Sequence, residues 1–291
     1  MTEYLGGLTL IGLAERTAHK TFSDRVFGEA AELAFFFLLS LFPFLIFLVS
    51  IVGLVSAGSA LQTHLVHWLT QAMPHSASDL VRNIAQQTTN RSDSGKLSFG
   101  IVFALWTASS GMVAVIDGLN VAFEIKEPRS WIKQRLTALW LTVSMGMFML
   151  LAVAIILFGS QLARWTGGEA GVFWQVLEWC VAVFLVILAF ASVYRYAPNK
   201  VDQSWKWMTP GAVVGVLLWL AASIGFRAYL MYFGNYSATY GSLGGVIVLM
   251  LWFYVTAIAV LLGGEVDAEI EKAARHGSAQ SGTFNAGSHA A

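Results

Sequence analysis

The residues best placed to do chemistry in this sequence are polar side chains inside, or at the ends of, long apolar runs. A charge at the middle of a bilayer costs at least about 2.5–3.5 kcal/mol on insertion scales, so such residues are candidates for an ion relay or a solute cavity. Once the apolar runs are taken as membrane spans, these residues fall into two layers. The first contains Glu29, Glu32, Asp117, Asn120, Arg195 and Glu265, and the second contains Glu178 and Arg227.

Residues of the first layer have structural roles open to them as well as a relay role. Glu29 and Glu32 are one helical turn apart, so their carboxylates share a face, and near a helix start they also complement the helix dipole. Glu32 lies deeper and has Arg195 as a candidate partner. Asp117 precedes Asn120 by three residues on the same face. Both interpretations stay open at this point.

The second layer and the histidines pose similar alternatives. Arg227 either extends its side chain to the membrane surface or pairs with Glu178 at a similar depth. His64 and His67 are three residues apart and would allow a shared metal, but no carboxylate lies near them, so we expect no metal site. A phosphate-binding glycine loop, a His-Glu-x-x-His pair and a nucleophile elbow are all missing from the sequence. We therefore expect no cofactor and no catalytic residue.

A second group of residues is suited to hinges or close helix packing. Pro43 lies near the middle of the first apolar run, where it removes a backbone hydrogen bond and kinks a helix. Ser40, one turn earlier, has a hydroxyl that can satisfy a freed carbonyl. The last apolar run begins with Gly241, Ser242 and Gly244, small residues that allow helices to approach closely.

Composition indicates what must position these residues. Hydrophobic residues make up 57% of the 291 residues and charged residues only 12%, too few charges to cover a soluble globule. The same balance excludes intrinsic disorder. The net charge is zero, so no overall field attracts nucleic acid, and a single cysteine excludes an internal disulfide. We predict an all-α polytopic membrane protein whose partners are membrane lipids and no nucleic acid.

Charge-free runs mark the membrane spans. A helix needs about 20 apolar residues to cross the hydrocarbon core, and the longest run splits at a polar, glycine-flanked turn. Residues 1–28 are then a cytoplasmic amphipathic segment, 29–270 a six-span membrane domain, and 271–291 a disordered cytoplasmic tail. The six predicted spans cover about 30–56, 97–121, 136–162, 175–196, 210–233 and 243–264.

Basic residues set the orientation. Twelve Lys and Arg residues lie in the two termini and the second and fourth loops, against four on the opposite side, which places both termini in the cytoplasm. Leu5–Leu13 is followed by Glu15 and Arg16, so we interpret it as an interfacial helix and not as a cleaved signal. The long first external loop carries apolar residues at helical spacing up to Pro74, which predicts a second, amphipathic helix.

Seven segments resemble a known family. Phe-Gly-Asn-Tyr-Ser-Ala-Thr-Tyr-Gly-Ser-Leu-Gly, with Asn235, Tyr236 and Tyr240, is the most specific of them. In order along the chain the segments lie at 34–43, 105–109, 118–120, 197–199, 210–212, 233–244 and 262–268. Together they resemble the YihY/BrkB family of bacterial inner-membrane proteins, once labelled ribonuclease BN. The resemblance implies six helices and a bacterial inner membrane.

The chain departs from the family pattern at several positions. Phe36 stands where the family usually has Tyr, and Ser110-Gly111 replaces a segment that often carries Arg. Glu32 and Asp117 are not expected from the pattern, so a relay through these two acids would belong to this chain alone.

Three functions remain open at the sequence level. The first is a transporter or exporter of an amphiphilic or lipid-like solute, with a cavity between the spans. The second is a non-transporting scaffold or envelope-maintenance protein, in which the polar residues only fix helix register. The third is a membrane-bound enzyme, although a ribonuclease would need a solvated catalytic cluster and a basic groove. The oligomeric state, the substrate and the direction of movement are left open.

Overall fold

The computed structural model describes residues 7–55, 63, 66–67, 94–166, 168–199, 209–233 and 242–288. Within these ranges every regular element is an α-helix and no residue is in a strand. Seven helices are defined there: α1 Leu10–Ser23, α2 Val26–Val55, α3 Ser94–Ala122, α4 Trp131–Thr166, α5 Gly168–Tyr196, α6 Pro210–Phe233 and α7 Ser242–Ser288.

The apolar helices confirm an all-α polytopic membrane protein. Five segments within the described residues are long and apolar enough to cross a membrane: Ile101–Ala122, Trp131–Ile156, Gly171–Tyr196, Pro210–Met231 and Gly244–Arg275. Each coincides with one of the predicted spans. Helix α2 covers the remaining predicted span at 30–56, so the total of six stays a prediction.

Large apolar side chains on these helices point away from the protein interior. Phe103, Ile224 and Met231 expose 62%, 72% and 76% of their surface. In water such surfaces would drive aggregation, whereas in lipid they lose no hydrophobic energy. Their exposure is what a bundle surrounded by hydrocarbon requires.

Local sequence explains how α1 begins and ends. The Thr9 hydroxyl accepts a hydrogen bond from the Gly12 amide at 3.2 Å, which caps the free amides of the first turn. After Ser23 the Asp24 amide donates to the Lys20 carbonyl at 2.8 Å. Arg25 then adopts a left-handed conformation with φ of 53°, and the chain continues into α2. The first helix is thus at Leu10–Ser23 and not at the predicted Leu5–Leu13.

The chain divides into two compact units. Unit 1 contains Met1–Phe35, Val115–Arg129 and Phe190–Ala291, and unit 2 contains Phe36–Ala114 and Ser130–Ala189. In unit 2, Phe47 and Leu48 of α2 and Ala104 of α3 form a core, and Val143 of α4 packs against it. In unit 1, α6 and α7 pack against each other, and α1 packs on α7. Leu13 of α1 meets Val266 and Ile270 of α7 in that second contact.

The C-terminal part corrects one expectation. Helix α7 continues to Ser288, although the tail from residue 271 is predicted to be disordered. Residues 265–275 are rich in Glu, Ala and Lys, which are strong helix formers, so the helix is extended past the apolar run by local propensity. The predicted amphipathic helix of the external loop lies outside the described residues, apart from 63, 66 and 67.

Candidate functional site

The glycine pair Gly211 and Gly263 brings α6 and α7 into close contact. A Cβ built on Gly211 would collide with the Gly263 carbonyl, and one built on Gly263 would lie 2.7 Å from the Gly211 carbonyl. Because backbone atoms cannot move aside as a flexible side chain does, only glycine fits at either position. Gly264 faces α3 instead, where a Cβ would lie 2.5 Å from Cδ2 of Leu119. Helix α7 is therefore held at a fixed rotation between α6 and α3.

A tyrosine from α5 occupies the same crossing. Tyr194 is fully buried, and its hydroxyl donates a 2.7 Å hydrogen bond to the Val260 carbonyl of α7. A Cβ built on Gly215 would lie 2.7 Å from that hydroxyl, and one on Gly263 would lie closer still. The Tyr194 ring contacts Phe190 edge to face at 6.0 Å between centroids. The hydroxyl thus fills the space that the glycines leave empty.

Asp267 of α7 caps the start of α6. Its Oδ1 accepts a 2.7 Å hydrogen bond from the Gly211 amide, and the side chain is buried. The Thr209 hydroxyl accepts from the Ala212 amide at 3.2 Å, and Pro210 occupies the first helical position, where its missing amide costs nothing. A carboxylate at a helix N-terminus is stabilised by the free amides and the helix dipole. Asp267 is therefore a structural residue.

Asn120 belongs to a polar network that joins the end of α3 to the segment after α5. Its Nδ2 donates to Glu127 at 2.7 Å, and its Oδ1 accepts from the Asn199 amide at 3.4 Å. Glu127 receives two hydrogen bonds from the Arg129 guanidinium, at 2.7 and 2.6 Å. Arg129 also donates to the Ala197 carbonyl at 2.7 Å. The Arg129 bonds hold the pKa of Glu127 below its ordinary value.

A charged groove lies beside this network in unit 1. Its centre is Glu124, which accepts hydrogen bonds from Lys20 of α1 and, at 3.1 Å, from Lys272 of α7. These two bonds lower the pKa of Glu124. The groove has a volume of about 340 Å³. Its lining residues are Lys20, Ala122, Phe123, Glu124, Ile125, Ala268, Glu269, Glu271, Lys272 and Arg275.

The backbone at Glu124 is adapted to this position. Glu124 follows the end of α3 in a left-handed conformation with φ of 54°, which is uncommon for a residue other than glycine. The Ile125 amide donates to the Asn120 carbonyl and the Glu124 amide to the Val121 carbonyl, both at 2.9 Å. This helix ending satisfies the last carbonyls of α3. The two lysine contacts favour a charged side chain where glycine would fit the backbone better.

Glu265 lies on the same face of α7, one turn before the groove. Only 1% of its surface is exposed, and neither carboxylate oxygen has a hydrogen-bond partner among the described residues. Residues 265, 268, 269 and 272 recur at helical spacing, so the buried carboxyl is in line with the groove-lining positions. Lys20, Asp24 and Glu124 are its charged neighbours from other segments. We call Glu265 together with the groove lining the Glu265 groove.

The other acids of the predicted first layer are not in this groove. Glu29 is partly buried and has Glu32 and Asp117 as charged neighbours. Glu32 and Asp117 are themselves exposed. The guanidinium of Arg195 lies over the Tyr196 ring, 5.3 Å from its centroid, and its pairing with Glu32 stays a prediction. The structure thus separates Glu265 from the Glu29 group.

The second-layer residues lie in different units. Glu178 of α5 is buried, and its carboxylate fills the space beside Gly159 of α4, where a Cβ would lie 2.6 Å from Oε2. Arg227 of α6 is exposed and lines a shallow apolar groove with Phe226 and Trp252. Pairing between Glu178 and Arg227 stays a prediction.

The hinge and packing residues are placed as follows. Helix α2 continues through Pro43. The Ser40 hydroxyl donates to the Phe36 carbonyl at 2.6 Å, and it also fills the space over Gly111, where a Cβ would lie 2.5 Å away. Gly244 is buried in the first turn of α7, which begins at Ser242. Four further residues of the predicted turn and packing set lie outside the described residues: Asn235, Tyr236, Tyr240 and Gly241.

Sequence reasoning missed Tyr194, Asp267, Glu124 and Glu127. One signal was present: Gly211 and Gly215 are four residues apart inside an apolar run, the spacing that lets two membrane helices approach closely. That motif predicts a tight α6 contact, though not its partner. The other residues acquire their roles through contacts between distant segments, which no local pattern indicates.

Comparison with known proteins gives a consistent assignment. Residues 17–286 match the family model described as virulence factor BrkB. A ribonuclease-like protein, YfkH of Bacillus subtilis, is 41% identical over 251 residues, covering 84% of this chain and 90% of the relative. A UPF0761 membrane protein of Vibrio vulnificus is 29% identical, covering 85% of this chain and 78% of the relative. No solved structure matches the chain.

Proposed function

The chain belongs to the virulence factor BrkB family of membrane proteins, and from that premise we propose that it moves an amphiphilic or lipid-like solute across the bacterial inner membrane. In this proposal both termini lie in the cytoplasm, as the distribution of basic residues predicts. The observation that carries the proposal is the Glu265 groove, a charged depression with a buried acid one turn of α7 before its lining residues.

The size and charge of the groove fit the polar head of an amphiphile. A volume of about 340 Å³ is at the small end of ligand pockets, which suits a head group better than a whole lipid. The lining carries charges of both signs: Lys20, Lys272 and Arg275 against Glu124, Glu269 and Glu271. A zwitterionic or hydrogen-bonding head group can bind lining residues of both signs. It can therefore replace the ion pairs between these residues without leaving a charge unpaired.

The surrounding surface suits the apolar part of the same solute. Val121, next to the groove-lining Ala122, exposes 42% of its surface, and the membrane-spanning helices expose many larger apolar side chains. Such surfaces accept an acyl chain with no loss of hydrophobic energy. A solute can therefore keep its tail in lipid while its head group crosses along the protein.

A flux measurement in proteoliposomes tests this function. The purified protein is reconstituted in phosphatidylethanolamine and phosphatidylglycerol vesicles with fluorescent NBD-labelled phosphatidylethanolamine, and dithionite then destroys the label of the outer leaflet. We expect the protected fraction to shrink in vesicles that contain the protein and not in empty vesicles.

Variants assign that movement to the groove. Lys272→Ala removes a contact of Glu124 and should slow the loss of protected label. Lys133→Ala, an exposed lysine of α4 that does not line the groove, is the matched control and should behave as the wild type. Equal rates for all three proteins would remove the groove from the mechanism.

A non-transporting scaffold is the second candidate, and the tight glycine crossing favours it. Gly211, Gly263 and Tyr194 leave no space between α5, α6 and α7 at that point, as expected for a rigid support. In the same vesicles a scaffold would give no movement of label although the protein is folded. The ribonuclease-like name belongs to the matched relative. A nuclease needs a basic groove, whereas the lining of the Glu265 groove carries as many acidic as basic side chains.

A further inference from the structure

We propose that Glu265 is a proton-binding site of the groove: its carboxyl carries a proton in the described conformation and releases it when water enters, so that passage of the solute is coupled to a proton. This inference rests on the proposed function and adds its coupling ion. The first observation is the position of Glu265: only 1% of its surface is exposed, and the part of α7 that precedes it carries no charged residue.

The unpartnered oxygens exclude a stable negative charge. Neither Oε1 nor Oε2 of Glu265 accepts a hydrogen bond from any described residue. Burial of an ionised carboxylate without a hydrogen-bond donor carries a far larger desolvation penalty than burial of the neutral acid. A protonated carboxyl is the form that this environment tolerates.

Charges on the neighbouring segments act in the same direction. Lys20 of α1 faces Glu265, but it is already hydrogen-bonded to Glu124 and, at 3.2 Å, to Asp24. Asp24 at the end of α1, Glu124 after α3 and Glu269 on α7 are the acidic groups that face it. Three carboxylates against one engaged lysine disfavour a further negative charge.

The groove supplies the route by which the proton can leave. Ala268, Glu269 and Lys272 follow Glu265 on one face of α7, and all three line the groove. Entry of a head group or of water at that end would provide the hydrogen-bond donors that an ionised Glu265 lacks. In such an event the O–H bond of the carboxyl breaks and the proton passes to a water molecule in the groove, with no other reactant needed.

Infrared difference spectroscopy tests the protonated carboxyl directly. Spectra of the reconstituted protein at neutral and at strongly alkaline pH should differ by the C=O stretch of a protonated carboxyl, lost on the alkaline side. Glu265→Gln should remove this band. Asp267→Asn makes the same kind of change in the carboxylate of α7 that caps α6, and this variant should keep the band. Incorporation of ¹³C-labelled glutamate should shift the band in the wild type, so the test does not depend on one variant.

The outcomes separate this inference from the proposed function. A wild-type spectrum without the band, or a band that survives Glu265→Gln, overturns the proton site even if labelled lipid moves. A band that obeys these expectations while no lipid moves supports the proton site and overturns transport of that probe. If the band behaves as expected and labelled lipid moves, a pH gradient should change the rate of lipid movement in the wild type. Glu265→Gln should then abolish the dependence of that rate on the gradient.

Discussion

Two buried carboxylates on α7 differ in what surrounds them. Asp267 faces α6, where the Gly211 amide and the helix N-terminus stabilise its charge. Glu265 lies two residues earlier, one turn before the groove-lining Ala268 and Glu269, and neither of its oxygens has a hydrogen-bond partner among the described residues. Both are at least nine-tenths buried, with 7% and 1% of their surfaces exposed. The difference lies in their partners and not in their burial.

In our proposal this contrast separates an acid that caps a helix, Asp267, from an acid that binds a proton, Glu265. An acid that accepts a hydrogen bond at a helix N-terminus, as Asp267 does at Oδ1, contributes to the geometry of the fold and is costly to change. A buried polar group left without partners weakens the fold, and its presence in a membrane protein points to a role outside stability. The predictions below test the two faces of α7, beginning with the largest expected effect.

We expect the largest loss of stability when a side chain is added at the glycine contact between α6 and α7. Gly263→Ala places a methyl group against the Gly211 carbonyl and the Tyr194 hydroxyl, and we expect a loss of about 3 kcal/mol or more in the free energy of unfolding. Thermal unfolding in detergent measures the change. Gly225→Ala in the same helix pair has open space and should be neutral or slightly stabilising. Similar losses for both variants would contradict the close crossing.

Removing the cap should cost less than filling the crossing. Asp267→Ala leaves the Gly211 amide without an acceptor and should destabilise the protein by about 1–3 kcal/mol. Glu265→Gln, on the other face, breaks no hydrogen bond and should keep the wild-type unfolding temperature. If Glu265→Gln is the more destabilising of the two, the distinction between the acids is wrong.

The tyrosine hydroxyl should contribute a single hydrogen bond. Tyr194→Phe removes the donor to the Val260 carbonyl and should lower the free energy of unfolding by about 1 kcal/mol. The control is Tyr254→Phe, which removes the hydroxyl of a partly buried tyrosine of α7 and should have less effect. Chemical unfolding in a mild detergent compares the two, and an unchanged Tyr194→Phe would show that the hydroxyl is not needed at the crossing.

The ion pairs at the groove should have the smallest effect on stability. Because the pKa of Glu124 is lowered in the folded protein, its contribution is present at neutral pH and is lost as the pH falls below the ordinary glutamate value of 4.5. Glu124 is half exposed, so solvent screening limits this contribution to about 0.5 kcal/mol or less. Unfolding temperatures of the wild type and Glu124→Gln, measured through the acid range, should converge at low pH. If the two unfolding temperatures differ more at low pH than at neutral pH, the expected sign of this pH dependence is wrong.

The spans themselves could be predicted from sequence. A bilayer requires about 20 apolar residues and internally satisfied backbone groups, and both demands are met locally by a helix. The predicted span at 97–121 is found within Ser94–Ala122, and the one at 210–233 matches Pro210–Phe233. The sequence also identifies Glu265 as an ionisable residue at the end of an apolar run, while its role stays a prediction.

What sequence alone determined, then, is that these helices exist and where their polar residues lie. Only the tertiary structure decided that Asp267 meets an amide, that Glu265 meets no donor among the described residues, and that Asn120 reaches Asn199 across 79 positions of the chain. The reason is that a hydrogen-bond partner depends on the rotation and crossing point of two helices. Those are fixed by packing between segments that are distant in the sequence, such as Gly263 against Gly211 and Tyr194.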